Sequence, residues 1–149
     1  MGLETMQLNS QDEFRSWLAR DHEVRDELES MVGAPLDAEA PSLDTVEGFL
    51  LGRFRTPVSA LAPDQRGVVD AASRHIGLVM VRTIDEAGWA IDLDNEDNAN
   101  YRLPIILMAD GAQACPLTLA TAALDRRTGT FLRTVVEGYQ ADYNVETPA

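Results

Sequence analysis

The chain predicts an α+β domain, with helices packed on a small antiparallel sheet or β-hairpin. Several stretches repeat apolar residues at helical spacing, and the run Trp89–Asp94 alternates with a period of two. An Asn-rich turn, 95–100, then leads to a second apolar run. The 149 residues fit a single domain, 1–149, large enough for a core of its own.

Ser10 opens an N-terminal helical segment, 10–33. Ser10 and Glu13 stand in the capping-box relation, each side chain satisfying an orphan backbone donor. Phe14, Trp17, Leu18, Val24, Leu28, Met31 and Val32 follow at helical spacing. Asp21 interrupts the stripe, so either one helix runs to Val32 or Asp21 caps a second piece. Gly33 is the C-terminal stop. A proline-containing linker, 34–42, precedes a helix capped by Ser42 or Asp44, with Leu43, Val46, Phe49, Leu50 and Phe54 on one face. Thr56-Pro57 ends it, because proline pushes the preceding residue away from helical angles. The next helix starts around Pro63-Asp64 and buries Val68, Val69, Ala72, Ile76, Val79 and Met80. It carries little charge and is expected at the centre. The segment 79–84, VMVRTI, fits either the end of this helix or the start of a strand.

The strand Trp89–Asp94 alternates apolar with small or acidic residues, which gives it one wet face. The second strand, Tyr101–Met108, is apolar on both sides, with Pro104 at an edge or a strand start. A lone hairpin is marginal in water. It must lie on a helix, gain a third strand or pair with another chain. Pro116–Leu124 reads as a helix with proline in its first turn, 125–129 as a turn, and Phe131, Leu132, Val135, Val136, Tyr139 and Tyr143 as the stripe of a last helix. The tail, 144–149, is expected to fray.

All twelve basic residues are arginine, set against twenty-five Asp and Glu, for a formal charge of −13. The arginine-only usage and the abundant alanine match the codon bias of a GC-rich bacterial genome. The net negative charge is the physical fact: it repels phosphate backbones and attracts a basic partner. It is uneven, with two acidic flanks around a nearly neutral middle, 51–90. Internal ion pairing is the default use of the arginines, and the chain shows no uncompensated basic run of the kind nucleic acid needs. No apolar run is long enough to span a bilayer. The start lacks a basic and apolar leader, and one cysteine cannot close an internal disulfide, so a cytoplasmic protein is expected.

No residue set carries a catalytic signature. The carboxylates of Asp92, Asp94, Glu96 and Asp97 invite a calcium reading, but the EF-hand pattern fails. Asp97 stands where glycine makes the turn, and Leu103 where a bidentate Glu belongs. His75 borders an apolar stripe as a core-edge residue, and His22 lies on a charged surface. Two histidines without a paired cysteine make no structural zinc site. Cys115 has no basic neighbour to activate it. No metal or cofactor is therefore expected. Tyr101 closes the acidic turn, and Tyr139 and Tyr143 share a helix face; tyrosine beside carboxylates suits contact with a basic protein. The three tyrosines could equally plug the rim of the core.

The runs Ile76–Arg82, Gly88-Trp89-Ala90-Ile91-Asp92 and Leu103-Pro104-Ile105 resemble a pattern in small uncharacterised bacterial proteins, some of them like immunity proteins of toxin systems. The shared motifs are structural, so the resemblance implies a binding protein and transfers no functional residue. The expectation is a non-enzymatic acidic domain, an adaptor or an immunity-like inhibitor. It engages a basic partner through Asp92, Asp94, Glu96, Asp97, Tyr101, Tyr139 and Tyr143. The alternatives are an enzyme whose site joins His75, Cys115 or the acidic loop across the fold, and a homo-oligomer, a homodimer in its simplest form.

Overall fold

The computed structural model describes residues 2–145. After a turn of 3-10 helix at Leu3–Met6, the order is α1 (Gln11–Ala19), α2 (Asp21–Val32), α3 (Ser42–Arg53), α4 (Pro57–Ala60), α5 (Arg66–Thr83), β1 (Gly88–Ala90), β2 (Ile105–Leu107), β3 (Gln113–Ala114), α6 (Pro116–Arg126) and α7 (Phe131–Tyr143). The fold is α+β, and the hairpin meets its marginal stability by gaining a third strand.

The N-terminal segment is two helices. Ser10 Oγ accepts from Glu13 N at 3.1 Å, but Glu13 reaches back one residue further than a capping box requires, to Asn9 N. The break falls at Arg20, and Asp21 caps nothing. Its carboxylate is held 2.8 Å from Arg25 Nε and 3.7 Å from Arg74 Nη1. Gly33 ends α2 in the left-handed region, at φ 81°. Neither Ser42 nor Asp44 caps α3, because Pro41 already has helical angles. Ser42 turns to Glu39 and His75 instead, and Asp44 to Arg133.

α5 is the centre of the molecule. It packs against α2, α4, α6, α7 and the sheet. Residues 71–77 are buried without a gap, so the helix is enclosed all round rather than along one stripe. Ala71, Ala72, Ser73 and Gly77 make this feasible by letting neighbours approach closely. The VMVRTI segment is helical through Thr83, with the chain leaving the helix at Ile84.

The sheet order is β1-β2-β3, antiparallel throughout, with Trp89 opposite Ile106 and Ile106 opposite Ala114. Both hairpin strands are shorter than their sequence pattern. The first stops at Ala90, because Asp92 Oδ1 accepts the backbone N–H of Asp94 (2.9 Å) and of Asn95 (3.1 Å) and turns the chain aside. The second begins only at Ile105, after Arg102 adopts φ 61° and Pro104 withholds a donor. Trp89 lies against α5 at Gly77, where an added Cβ would sit 2.0 Å from Trp89 Cζ2. Asn144, expected in a frayed tail, is anchored: its side chain accepts from Asp85 N and donates to Thr83 O, both at 2.8 Å. Residues 146–149 lie outside the described residues.

Two ionic side chains pin α3 to the α6–α7 corner. Glu47, fully buried on α3, accepts from the backbone N–H of Phe131 (3.2 Å) and Leu132 (2.8 Å) and so caps α7 from outside. Arg127, the left-handed residue ending α6, returns the favour: its guanidinium donates to the carbonyls of Leu51, Phe54 and Arg55 at the C-terminus of α3.

Candidate functional site

The acidic loop after β1 is built from its own hydrogen bonds. Besides the two backbone bonds above, Asp92 Oδ2 accepts from Asn98 Nδ2 at 2.9 Å. Asn98 and Asn100 both donate to Gln113 Oε1, at 3.0 and 3.2 Å, which staples the loop to β3. Asn95 and Asn98 each accept the backbone N–H two residues on. Arg102 N closes the loop on Asp92 O at 2.9 Å. The donors around Asp92, Asn98 first and then the N–H groups of Asp94 and Asn95, hold its carboxyl below the usual carboxylate range. Asp92 is thus a structural post. Asp94, Glu96 and Asp97 project from it, exposed, and form no ion pair among the described residues.

The tyrosines divide. Tyr101 is half-buried at the foot of this loop, with the Arg102 guanidinium 4.9 Å from its ring centroid. Tyr139 and Tyr143 stack at 6.3 Å on α7 and pack against the core. Tyr143 OH donates to Asp110 in the β2–β3 turn, at 2.9 Å to Oδ1. The carboxylate raises the phenol pKa, while the Ala112 N–H and then Tyr143 lower that of Asp110. The β2–β3 hairpin is what links the two groups: Asp110 holds α7 and Gln113 holds the acidic loop.

Among the described residues, no hydrogen bond joins His75, Cys115 and the acidic loop. His75 is 2% exposed, and its Nε2 lies 2.8 Å from Ser42 Oγ. That hydroxyl donates its single hydrogen to Glu39 O at 2.8 Å, so in the contact with His75 it is the imidazole Nε2–H that donates. Burial first, then the charge of Arg25, lowers its pKa to about 4. The N–H groups of Leu43 and Asp44 beside Ser42 are spent on Ala40 O and Pro41 O, leaving no oxyanion donors there. Cys115 is buried, its thiol directed at Pro104 O, 3.8 Å away. Four surface depressions are lined by neither His75 nor Cys115. Among the described residues, no three His, Cys, Asp or Glu side chains converge to hold a metal ion.

Sequence reasoning missed Gln113, Asn98 and Asn100 as the scaffold of the loop; nothing local marks Gln113, whose partners are over ten residues away. It also missed Glu47. There the signal existed, since Glu47 interrupts the apolar run Leu43, Val46 and Leu50, and an acid on a core face demands a partner. No helix among the described residues is long and apolar enough to cross a membrane. No protein-family model matches the chain, and neither a curated protein nor a solved structure matches it significantly.

Proposed function

We propose that this is a non-enzymatic, acidic protein-binding domain, an adaptor or immunity-like inhibitor, that engages a basic partner through the loop 92–101. One observation carries the reading: a loop held rigid by Asp92, Asn98, Asn100 and Gln113 presents three unpaired carboxylates outward. Holding them in place means that binding loses little loop entropy. The net charge of −13 steers a cationic surface inward, and Tyr101 supplies a flat apolar anchor at the rim. Tyr139 and Tyr143 serve this surface indirectly, by fixing the hairpin that carries Gln113.

The test is a titration of isotope-labelled protein with an oligo-arginine peptide, followed by amide NMR shifts at low and high salt. Shifts concentrated at 92–101 and weakened by salt are expected. They should vanish in the Asp94→Asn, Glu96→Asn, Asp97→Asn triple variant and persist in a control triple variant at Asp12, Glu23 and Asp26 of α1 and α2. Shifts spread evenly over every acidic surface would defeat the reading.

A further inference from the structure

Asp12, Ser16 and Arg20 recur every fourth residue and run along one side of α1, and Glu13 and Trp17 share that spacing. At 1.5 Å per residue, Asp12 and Arg20 stand about 12 Å apart along the helix axis. Together with Leu8, and with Arg74 of α5 as a buried wall, this side of α1 lines a depression of about 370 Å³. One end of the depression is therefore acidic and the other basic, with the Trp17 indole between them.

Arg74 is 2% exposed, yet its donors are not all used. Nε donates to Asp70 Oδ2 at 2.8 Å, and Nη1 donates to Trp17 O, with Asp21 Oδ1 3.7 Å away. Among the described residues Nη2 donates to nothing, which leaves two N–H groups of a buried guanidinium to be satisfied from the depression. The guanidinium cannot swing away, because its Cζ lies 3.9 Å from the Trp17 ring centroid and Asp70 holds both residues. The charges at the rim are less committed. Asp12 meets Arg15 at 3.2 Å and Arg20 Nε is 3.9 Å from Glu23, all four side chains being well exposed. Exposed pairs of this kind contribute little, so Asp12 and Arg20 can turn to a ligand at small cost.

We infer that this depression is a binding site, independent of the acidic loop, for a small zwitterion: a di- or tripeptide with both termini free. Its ammonium group lies at Asp12 and Glu13, and its carboxylate accepts from Arg20 and from Arg74 Nη2. An apolar side chain between them covers Leu8 and Trp17. Two or three extended residues span about 7–11 Å, which fits charged ends whose backbone positions are about 12 Å apart and whose side chains lean inward. Charge complementarity selects this occupant. A simple anion would meet Asp12, Glu13 and a chain of charge −13, and a simple cation would meet Arg20 and Arg74. A neutral apolar molecule would seal Arg74 Nη2 from water without replacing its partners. The size also suits a small ligand, for which pockets run to about 300–1,000 Å³.

The experiment titrates the isotope-labelled full chain with the tripeptide Ala-Leu-Ala at millimolar concentration and follows amide and indole NMR shifts. Shifts are expected at 8–20 and at the Trp17 indole N–H. Acetylating the amino terminus or amidating the carboxyl terminus should each weaken binding by about threefold to fivefold. In Arg20→Gln the effect of amidation should shrink while that of acetylation persists, and in Asp12→Asn the reverse should hold. Both side chains are exposed, so the folded state should be retained, and circular dichroism checks this. The Asp94, Glu96, Asp97 triple variant should bind the tripeptide unchanged, which separates this site from the acidic loop. Absence of shifts at 8–20, or doubly capped tripeptide binding as tightly as the free one, overturns the inference. So does acetate or ethylammonium binding at 8–20 as tightly as the tripeptide, since each needs one end of the site alone.

Discussion

Replacing Gly77 with alanine sets two magnitudes of opposite sign against each other. In the middle of a helix, alanine is favoured over glycine by about 1 kcal/mol, so propensity alone predicts stabilisation. The structure predicts the reverse. The new Cβ would lie 2.0 Å from Trp89 Cζ2 and 2.2 Å from Cη2, far inside contact distance. The indole cannot retreat freely: it meets Trp17 edge-on at 4.9 Å, and the far side of that contact is braced by Arg74, 3.9 Å from the Trp17 ring centroid. Trp17 Nε1 and Arg74 Nε are both tied to Asp70, at 2.9 and 2.8 Å. Overpacking of this kind costs about 1–3 kcal/mol and exceeds the propensity gain. Urea unfolding followed by far-ultraviolet circular dichroism should show net destabilisation of up to about 2 kcal/mol. Repeating the substitution in a Trp89→Leu background removes the obstacle, and there Gly77→Ala should stabilise by up to about 1 kcal/mol. If Gly77→Ala stabilises the unmodified protein, the packing of α5 on β1 described above is wrong.

Three further outcomes are expected. Glu47→Ala orphans two buried N–H groups at the start of α7 and should cost about 2–4 kcal/mol, with Glu47→Gln recovering part of it; thermal melts decide, and a loss below about 0.5 kcal/mol contradicts the capping role. Because the folded state holds His75 neutral, with a pKa near 4 against 6.5 for an ordinary imidazole, the unfolded chain binds the extra proton between those values. Stability from this residue is complete above about pH 6.5 and lost as pH falls toward 4, about 3 kcal/mol in all, so urea midpoints of wild type and His75→Gln should converge over that window. The Asp94, Glu96, Asp97 to Asn variant should unfold within about 0.5 kcal/mol of wild type, since none of the three is an acceptor in the loop's framework; a larger loss would make them structural.

Much of the helical framework was legible because its signals are local. The apolar stripes, the Ser10 cap, Gly33 and Pro116 each act within a turn of chain, whereas Thr56-Pro57, expected to end α3, instead opens α4 after α3 has stopped at Arg53. The boundaries that sequence misjudged follow from side chains choosing distant partners. Ser42 was expected to cap α3 but binds Glu39 and His75, and the strand expected to reach Asp94 ends four residues earlier because Asp92 turns the backbone aside. The ambiguous 79–84 segment resolved as helix because α5 is enclosed on every side, and its wall of neighbours is supplied by elements from both ends of the chain.

Composition and periodicity by themselves determined the α+β class, the negative charge and the exposed carboxylates of the acidic turn. Those properties are sums over residues or repeats over short distances, which a linear chain already contains. Tertiary structure alone decided that Gln113 staples the acidic loop to β3, that His75 is buried and neutral, and that Glu47 reaches the N-terminus of α7. Each depends on which residues, far apart in the chain, come within a few ångströms of one another. Hydrogen bonding, desolvation and pairing of charge all operate at that range, and the order of residues along the chain does not specify it.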